Sequence, residues 1–365
     1  MDARWKKVLV LQTSFLGDTV LSLPLLSEIK RRFPSSHLSV ICSPLARELL
    51  QDHPDIDEVI ADDKKGVDRG LRGVWRKGRM LKRNGYTMAL TPHKSLRSAL
   101  LLFFARIPYR VGFRQSMGWF LFHARAQRRA GQHDVERTLS ILQPFGIEVE
   151  DCQRSLSLPC TAESRDTVAR LLGSLSIAPD KLLVGINPGS VWPTKRWSAS
   201  GFARLIHLLK EKYDCEVLLF GGPDDLPIAA AIQDLCHQAA VNLAGKLDLR
   251  HLPAALSACR ILISNDSAPM HIAVACNVPT VAIFCATTPA LGFYPYTANA
   301  MVVEKKLDCR PCGSHGGRRC PLGTEDCIRL ISPDRVLRAV EELLERQRDA
   351  PLVERNRRLP EFVAV

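Results

Sequence analysis

Ile261-Leu-Ile-Ser264 is an apolar run of strand character that passes directly into Asn265-Asp266-Ser267, residue types of turns and helix N-caps. A largely apolar helical stretch follows, from Ala268 to Cys276, with Pro269 in its first turn. Proline is tolerated there because the first N–H groups of a helix have no partner inside it. A strand that runs straight into a capped helix leaves free backbone N–H groups and a positive dipole end at the mouth of a sheet, a ready seat for phosphate or pyrophosphate. An ordinary βα turn of any α/β fold reads the same way, so the rest of the chain has to decide.

The first half alternates strands and helices. Lys6 to Leu11 reads as a first strand, Gln12 to Asp18 as its loop, and Thr19 to Phe33 as a helix. His37–Cys42, Glu58–Ala61 and Thr87–Leu90 read as further strands, with a basic helix over Asp68–Arg83. Cys152 to Asp180, with Pro159, a helix around Ser164–Ser174, and Pro179, reads as a connection. A second series follows: a strand at Lys181–Ile186 with the loop Asn187-Pro-Gly-Ser190, a helix from about Ser200 to Tyr213, and strands at Glu216–Phe220, Ile261–Ser264 and, as the last, Pro279–Phe284. Strands alternating with helices imply parallel sheets. The expected fold class is α/β, with two Rossmann-like domains, 1–165 and 175–335, facing each other across a cleft. A helix over 332–348 is followed by an Arg- and Pro-bearing tail, 349–365, expected to be poorly ordered.

A chain of 365 residues suits two such domains. Its formal charge of +12 favours polyanionic partners: nucleic acid, an anionic membrane face or phosphorylated small molecules. The loop after the first strand has one glycine, Gly17, and lacks the G-x-G-x-x-G dinucleotide signature. Val8–Leu11 is too short for the core of a secretory signal, and Ala99–Ala105 falls far below the roughly 18–20 apolar residues that cross a bilayer. A soluble, cytoplasmic protein is expected. Cys215, Cys259, Cys276 and Cys285 stand singly in apolar contexts and read as buried thiols of a reducing compartment.

At the carboxyl ends of the second series, Lys195-Arg196 follows one strand, Asp224-Asp225 another, and the capped helix a third. Cations and a helix dipole for phosphates, with a carboxylate for ribose hydroxyls, suit a nucleoside diphosphate. Asp18 offers a carboxylate at the end of the first strand, where open α/β sheets place ligands; a plain helix N-cap would put aspartate there too. Arg97, Arg110 and Arg114 are candidates for an anionic second substrate, against the plainer reading of solvated charge. His133 and Glu136 open a helix, as site groups or as caps, and His271 on its apolar helix reads as a hydrogen-bonded structural histidine.

Several stretches occur together in one order: Val8-Leu-Val-Leu-Gln-Thr-Ser-Phe-Leu-Gly-Asp-Thr-Val-Leu-Ser-Leu-Pro24, Ser95–Ser98, Arg110–Arg114, Asn187-Pro-Gly-Ser190 with Lys195-Arg-Trp197, Asn242-Leu-Ala-Gly-Lys-Leu-Asp248, and Asn265-Asp-Ser-Ala-Pro-Met-His271. In them, across about residues 6 to 340, the chain resembles glycosyltransferase family 9, the ADP-heptose:lipopolysaccharide heptosyltransferases, most closely the heptosyltransferase II type. The resemblance implies a GT-B fold, with the C-terminal helix 332–348 packing back across the cleft, and inverting transfer with no cofactor required for catalysis. It makes Asp18 the catalytic base and Lys195 the phosphate-binding lysine. Ser190 becomes a phosphate contact, Asp266 the holder of the heptose hydroxyls, and Ser267, Ala268, Pro269 and Met270 the backbone seat of the pyrophosphate. Asp224 or Asp225 would meet the ribose and Leu247 the adenine. The family often has glycine where this chain has Ala268, whose methyl group bears on how closely backbone approaches phosphate. The implied partners are ADP-heptose and a lipopolysaccharide core acceptor, either Kdo-lipid A or its monoheptosylated form. Peripheral contact with the cytoplasmic face of the inner membrane is implied as well. Another nucleotide sugar or acceptor is the alternative. A basic nucleic-acid-binding protein is the alternative of another class, and no recognisable binding module supports it.

Cys309-x2-Cys312-x7-Cys320-x6-Cys327 has a spacing compatible with a structural zinc or iron–sulfur site. Redox-labile thiols, disulfides and unligated thiols are compatible with it too.

Overall fold

The structure, a computed structural model, describes residues 5–178, 180–349 and 360–364. It divides the chain into two compact units, Met1–Leu156 and Ser157–Val365. The helix Ala162–Ser174, expected within the connection, belongs to the second.

In the first unit, β1 (Lys7–Leu11), β2 (His37–Cys42), β3 (Glu58–Ala61), β4 (Met88–Thr91), β5 (Tyr109–Phe113) and β6 (Ala124–Ala126) form a parallel sheet in the order β3-β2-β1-β4-β5-β6. Val8 sits level with Leu38 on one side and Met88 on the other, so β1 is central, and Val8 to Leu11 are buried. Leu9 and Leu11 join a core with Val74 and Leu81 of the helix Gly70–Lys82 and Leu101 and Leu102 of the helix Leu96–Phe104. The chain leaves β1 for β2 and β3 in one direction and returns to β4 on the other flank. The switch point of the topology therefore lies between β1 and β4. The single helix expected over Thr19–Phe33 is two, Leu16–Leu21 and Leu23–Arg32. Pro24 has no N–H to continue the first helix and its ring crowds the preceding turn, so the chain restarts after Ser22.

The second unit adds β7 (Leu182–Asn187), β8 (Cys215–Leu219), β9 (Val241–Asn242), β10 (Ile261–Asn265), β11 (Thr280–Phe284), β12 (Ala300–Glu304) and β13 (Glu361–Ala364). They form a parallel seven-stranded sheet in the order β13-β12-β11-β10-β7-β8-β9, with its switch point between β7 and β10. Thr280–Phe284 is therefore not the last strand: β12 pairs with it, and β13, from the tail, pairs with β12. Residues 350–359 and 365 of that tail, and Pro179, lie outside the described residues. The helix Pro333–Asp349 packs on the helix Ala199–Lys212 and on β11 and β12 of its own unit. Trp197 is the largest side chain of this core, and its indole N–H donates to the Ile331 carbonyl at 3.1 Å. Among the described residues no helix is long and apolar enough to cross a membrane.

Candidate active site

At the carboxyl edge of the seven-stranded sheet, β10 ends in Asn265 and, with two residues between, the helix Ala268–Ala275 begins. No side chain caps that helix, and Pro269 occupies its first turn. The strand-to-helix junction lies where the sequence placed it, at the switch point, but the side-chain cap expected from Asn265-Asp266-Ser267 is absent, because Ser267 Oγ is turned to Asn187 Nδ2 and Asn265 O instead. Asn187, the last residue of β7, braces the junction: its Nδ2 donates to Ser267 Oγ at 2.9 Å and to Gly189 O at 3.2 Å. Asn265 returns the brace, donating to Pro188 O at 2.7 Å and accepting from the Trp197 N–H at 3.0 Å. Neither asparagine was a site residue in the sequence reading, because such bridges join positions far apart in the chain.

Lys195 is delivered by a short 3-10 turn, Pro193–Lys195, and its Nζ lies 2.7 Å from Asp266 Oδ2. The same oxygen accepts from Thr287 Oγ1 at 2.6 Å, from the loop after β11. Both charged side chains are largely buried. The turn is itself fastened: Thr194 Oγ1 donates to Gly317 O at 2.9 Å and accepts from Gly317 N at 2.8 Å, and a Cβ at Gly316 would stand 3.0 Å from Lys195 Cγ. The cysteine-bearing segment therefore forms a wall behind the lysine, a role that its composition did not reveal.

Beyond β7 lie the loops that the sequence offers for a nucleotide. Ser190 is buried, and its carbonyl accepts from Arg196 Nε at 2.8 Å. Asp225 accepts from Gly222 N at 3.0 Å. A Cβ on Gly189 would come within 2.4 Å of its carboxylate, so the loops after β7 and β8 touch at that glycine. Asp224 is exposed beside it. The loop after β9, which carries Leu247, is drawn alongside by Gly245 N donating to Gly221 O at 3.0 Å. Lys195, Asp225, Asp266 and the helix Ala268–Ala275 thus gather on one sheet edge.

His271 is buried on that helix. Burial, with the nearby Lys195 charge, lowers its pKa to about 3, so it is neutral. Its Nδ1 has no hydrogen-bond partner among the described residues, in contrast to the hydrogen-bonded histidine expected from the sequence. Burial pushes the Cys259 thiol up to about 12 and raises Cys215 and Cys285 as well, in keeping with inert interior thiols. Cys276 differs. It shares a hydrogen bond with Cys160, which brings the Cys160 thiol down to about 6.

The four cysteines whose spacing is compatible with a metal site, with redox-labile thiols or with unligated thiols are free and lie near one another: Cys309, Cys312 and Cys320 all bear on the ionisation of Cys327. Among the described residues no three His, Cys, Asp or Glu side chains form a group that could hold a metal. Cys327 is drawn into the hydrophobic core, the Cys312 N–H is tied to Ala286 O at 2.8 Å, and Cys320 is held by N–H groups of its own turn, chiefly that of Glu325.

The first unit holds a second polar cluster at its own switch point. Asp18 is half-buried at the third position of the helix Leu16–Leu21, and its Oδ2 accepts from the Phe15 N–H at 3.2 Å. It caps the helix from the third position rather than standing at the N-cap, and Phe15 offers no side-chain acceptor in return. Beside it in the fold are two groups that the sequence did not single out. Lys64 donates to the Thr13 carbonyl, and its pKa is lowered by burial and by the Arg97 charge. His93 Nδ1 meets Ser98 Oγ at 2.9 Å and Thr13 Oγ1 at 3.4 Å, and burial followed by the Lys64, Arg97 and Lys94 charges lowers its pKa to about 4. Arg97 pairs through both terminal nitrogens with the buried Asp62 and also donates to Asp68 O. Arg110 donates from Nε to the Leu121 carbonyl at 2.9 Å and from Nη1 to the Ile107 carbonyl at 2.6 Å. Arg114 is exposed. His133 and Glu136 form a capping box, with Val135 N donating to His133 Nδ1 at 3.2 Å and His133 N to Glu136 Oε2 at 3.3 Å.

Two Rossmann-like units, each with polar side chains gathered at the switch point of a parallel sheet, define the GT-B class of α/β transferases. The family model of glycosyltransferase family 9 (heptosyltransferase) matches residues 74–320, and the chain belongs to that family; it is a glycosyltransferase. Lipooligosaccharide heptosyltransferase 2 of Haemophilus ducreyi is 28% identical over 353 residues, 93% of this chain and 99% of that protein. Lipopolysaccharide heptosyltransferase 2 of Salmonella typhimurium is 29% identical over 353 residues, again 93% and 99%. Among solved structures, ADP-heptose lipopolysaccharide heptosyltransferase II of Escherichia coli superposes with a TM-score of 0.76 at 26% identity, covering 94% of this chain and 100% of that one.

Proposed function

We propose that this protein transfers L-glycero-D-manno-heptose from ADP-heptose to the lipopolysaccharide inner core, with inversion, at the cytoplasmic face of the inner membrane. The observation that carries the reading is the buried Lys195–Asp266 pair beside the uncapped start of the helix Ala268–Ala275. A cation and a helix dipole stand together where a departing diphosphate needs both. Asp18 takes the proton from the acceptor hydroxyl. The acceptor oxygen bonds the anomeric carbon, and the bond from that carbon to the phosphate oxygen breaks, ADP leaving with the electron pair. Lys195 and the helix N–H groups meet the charge that builds on ADP, and Asp266 turns to the heptose hydroxyls. With a lysine and a dipole in these roles, the chemistry requires no metal.

The test is ADP release from ADP-heptose with Kdo-lipid A or with its monoheptosylated form as acceptor. Turnover with the monoheptosylated form alone, abolished in Asp18→Ala and Asp18→Asn, is the expected result. Turnover with Kdo-lipid A would make it the first-heptose enzyme. ADP binding without release in either case would refute the assigned sugar or acceptor.

A further inference from the structure

Between Asp68 and Asp134 the sequence contains no aspartate or glutamate, yet fifteen lysines and arginines. The whole chain's excess is +12, so this one segment exceeds it. The segment builds one side of the first unit. The helices Gly70–Lys82 and Leu96–Phe104 pack together there, with the 3-10 turn Trp119–Leu121 against the second of them. Their inward side chains fill a common core. Their outward side chains are unusual for a surface: Trp75 is 49% exposed, Trp119 47%, Phe120 59% and Met117 71%. Arg79 lies over the Trp75 ring at 4.8 Å and Arg125 over the Trp119 ring at 4.8 Å. Between the helix ends is a cavity of about 780 Å³ lined by Arg79, Lys82, Arg106, Phe103 and His123, with no carboxylate in its wall. Arg79, Lys82 and Arg106 have no ion-pair partner among the described residues. The cavity lies at the amino end of β5, the edge opposite to that of Asp18.

We propose that this face docks on an anionic phospholipid bilayer, with lipid phosphates in the cationic cavity and the exposed aromatic rings in the headgroup region. Interfacial tryptophan and phenylalanine favour that depth, where an apolar ring body and a polar surrounding are both satisfied. Each cation near an anionic leaflet adds attraction that salt screens. A carboxylate-free face also has no repulsive element against such a surface, and apolar rings of this number are costly to leave in water. The inference rests on the proposed function and deepens it by naming the face that holds the protein at the bilayer. Its test needs neither donor nor acceptor, so either reading can fail alone.

The full chain is sedimented with vesicles of phosphatidylglycerol and phosphatidylcholine, and with vesicles of phosphatidylcholine alone, at low and high salt. Binding is expected to the mixed vesicles, to weaken with salt, and to be poor with phosphatidylcholine alone. Arg79→Glu with Lys82→Glu should weaken it by at least about tenfold. Trp75→Ser with Trp119→Ser should abolish the blue shift of tryptophan emission on vesicle addition. All four side chains are exposed, and an unchanged melting temperature reports that the fold persists. Equal binding by the parent chain and the charge-reversed variant would overturn the proposal. So would equal binding to both vesicle types, or a single-stranded oligonucleotide that displaces the protein from the vesicles at low concentration.

Discussion

His93 and His271 are each held neutral by burial next to lysine, and this fixes the direction in which acid acts on each unit. Their pKa values fall from 6.5 to about 4 and about 3 respectively. Below pH 6.5 the unfolded chain takes up a proton at each histidine while the folded chain does not. Stability is therefore fully present above 6.5 and is lost as pH falls toward 4, by up to about 1.4 kcal/mol per pH unit per histidine. Urea unfolding at pH 7 and pH 5 should show a smaller acid loss in His93→Gln and in His271→Gln than in the parent. Equal losses would mean that neither ring is buried neutral. Gly189 permits a second prediction at this scale. An added methyl would stand 2.4 Å from the Asp225 carboxylate, inside any real contact. Gly189→Ala should raise the KM for the nucleotide sugar about tenfold by displacing that carboxylate. In an Asp225→Ala background the same change should cost little, which steady-state kinetics on the double variant checks.

The turn that carries Lys195 is held by an element far along the chain. The Thr194 hydroxyl exchanges two hydrogen bonds with Gly317, beside one from the Thr194 N–H, and the residue is 5% exposed. Thr194→Val keeps the shape and removes the hydroxyl, leaving Gly317 N–H without its partner. Unfolding free energy should fall by about 1–3 kcal/mol. If the clamp positions the lysine, kcat/KM for ADP release should fall about tenfold besides, at temperatures where the variant is fully folded. Loss of stability with unchanged kinetics would reduce the clamp to scaffolding. This contact also marks the limit of what was legible beforehand. β1, β2, β7, β8 and β10 are apolar runs of five or six residues bounded by turn formers, and their alternation with helices announced the parallel sheets. β6 has three residues, β5 carries Arg110 and Gly112, and β13 follows an arginine-rich stretch, so none offers a periodic signal and each is a strand only because a neighbour pairs with it. In the same way, Asp18, Lys195, Asp225 and Asp266 follow strands and could be placed at a sheet edge from their spacing. Thr287, Asn187, His93 and Lys64 reach the two clusters by contacts that span 21 to 80 residues, which no local pattern encodes.

At the scale of the whole molecule, each unit closes its own hydrophobic core. Leu9, Leu101 and Phe122 belong to one cluster, and Trp197, Ile263 and Val303 to another. The side chains assigned to the nucleotide, Ser190, Lys195, Asp225 and Asp266, are all carried by the second unit. A ligand that binds only the folded state at a hundred times its Kd stabilises that state by about 2.7 kcal/mol. If each core opens as its own cooperative unit, the stabilisation is confined to the core that carries the ligand. With ADP at that concentration, amide exchange in β7, β10 and the helix Ala268–Ala275 should slow by up to about a hundredfold. Exchange in β1, β2 and β4 should stay unchanged. Mass spectrometry of peptides from the full chain separates these segments, because the two sets lie on opposite sides of Leu156. Equal slowing in both sets would mean that the units open together, and the assignment of nucleotide contacts would then rest on the kinetics of Lys195 and Asp225 variants. Slowing confined to β1 and β4 would place ADP on the wrong sheet and refute the assignment outright.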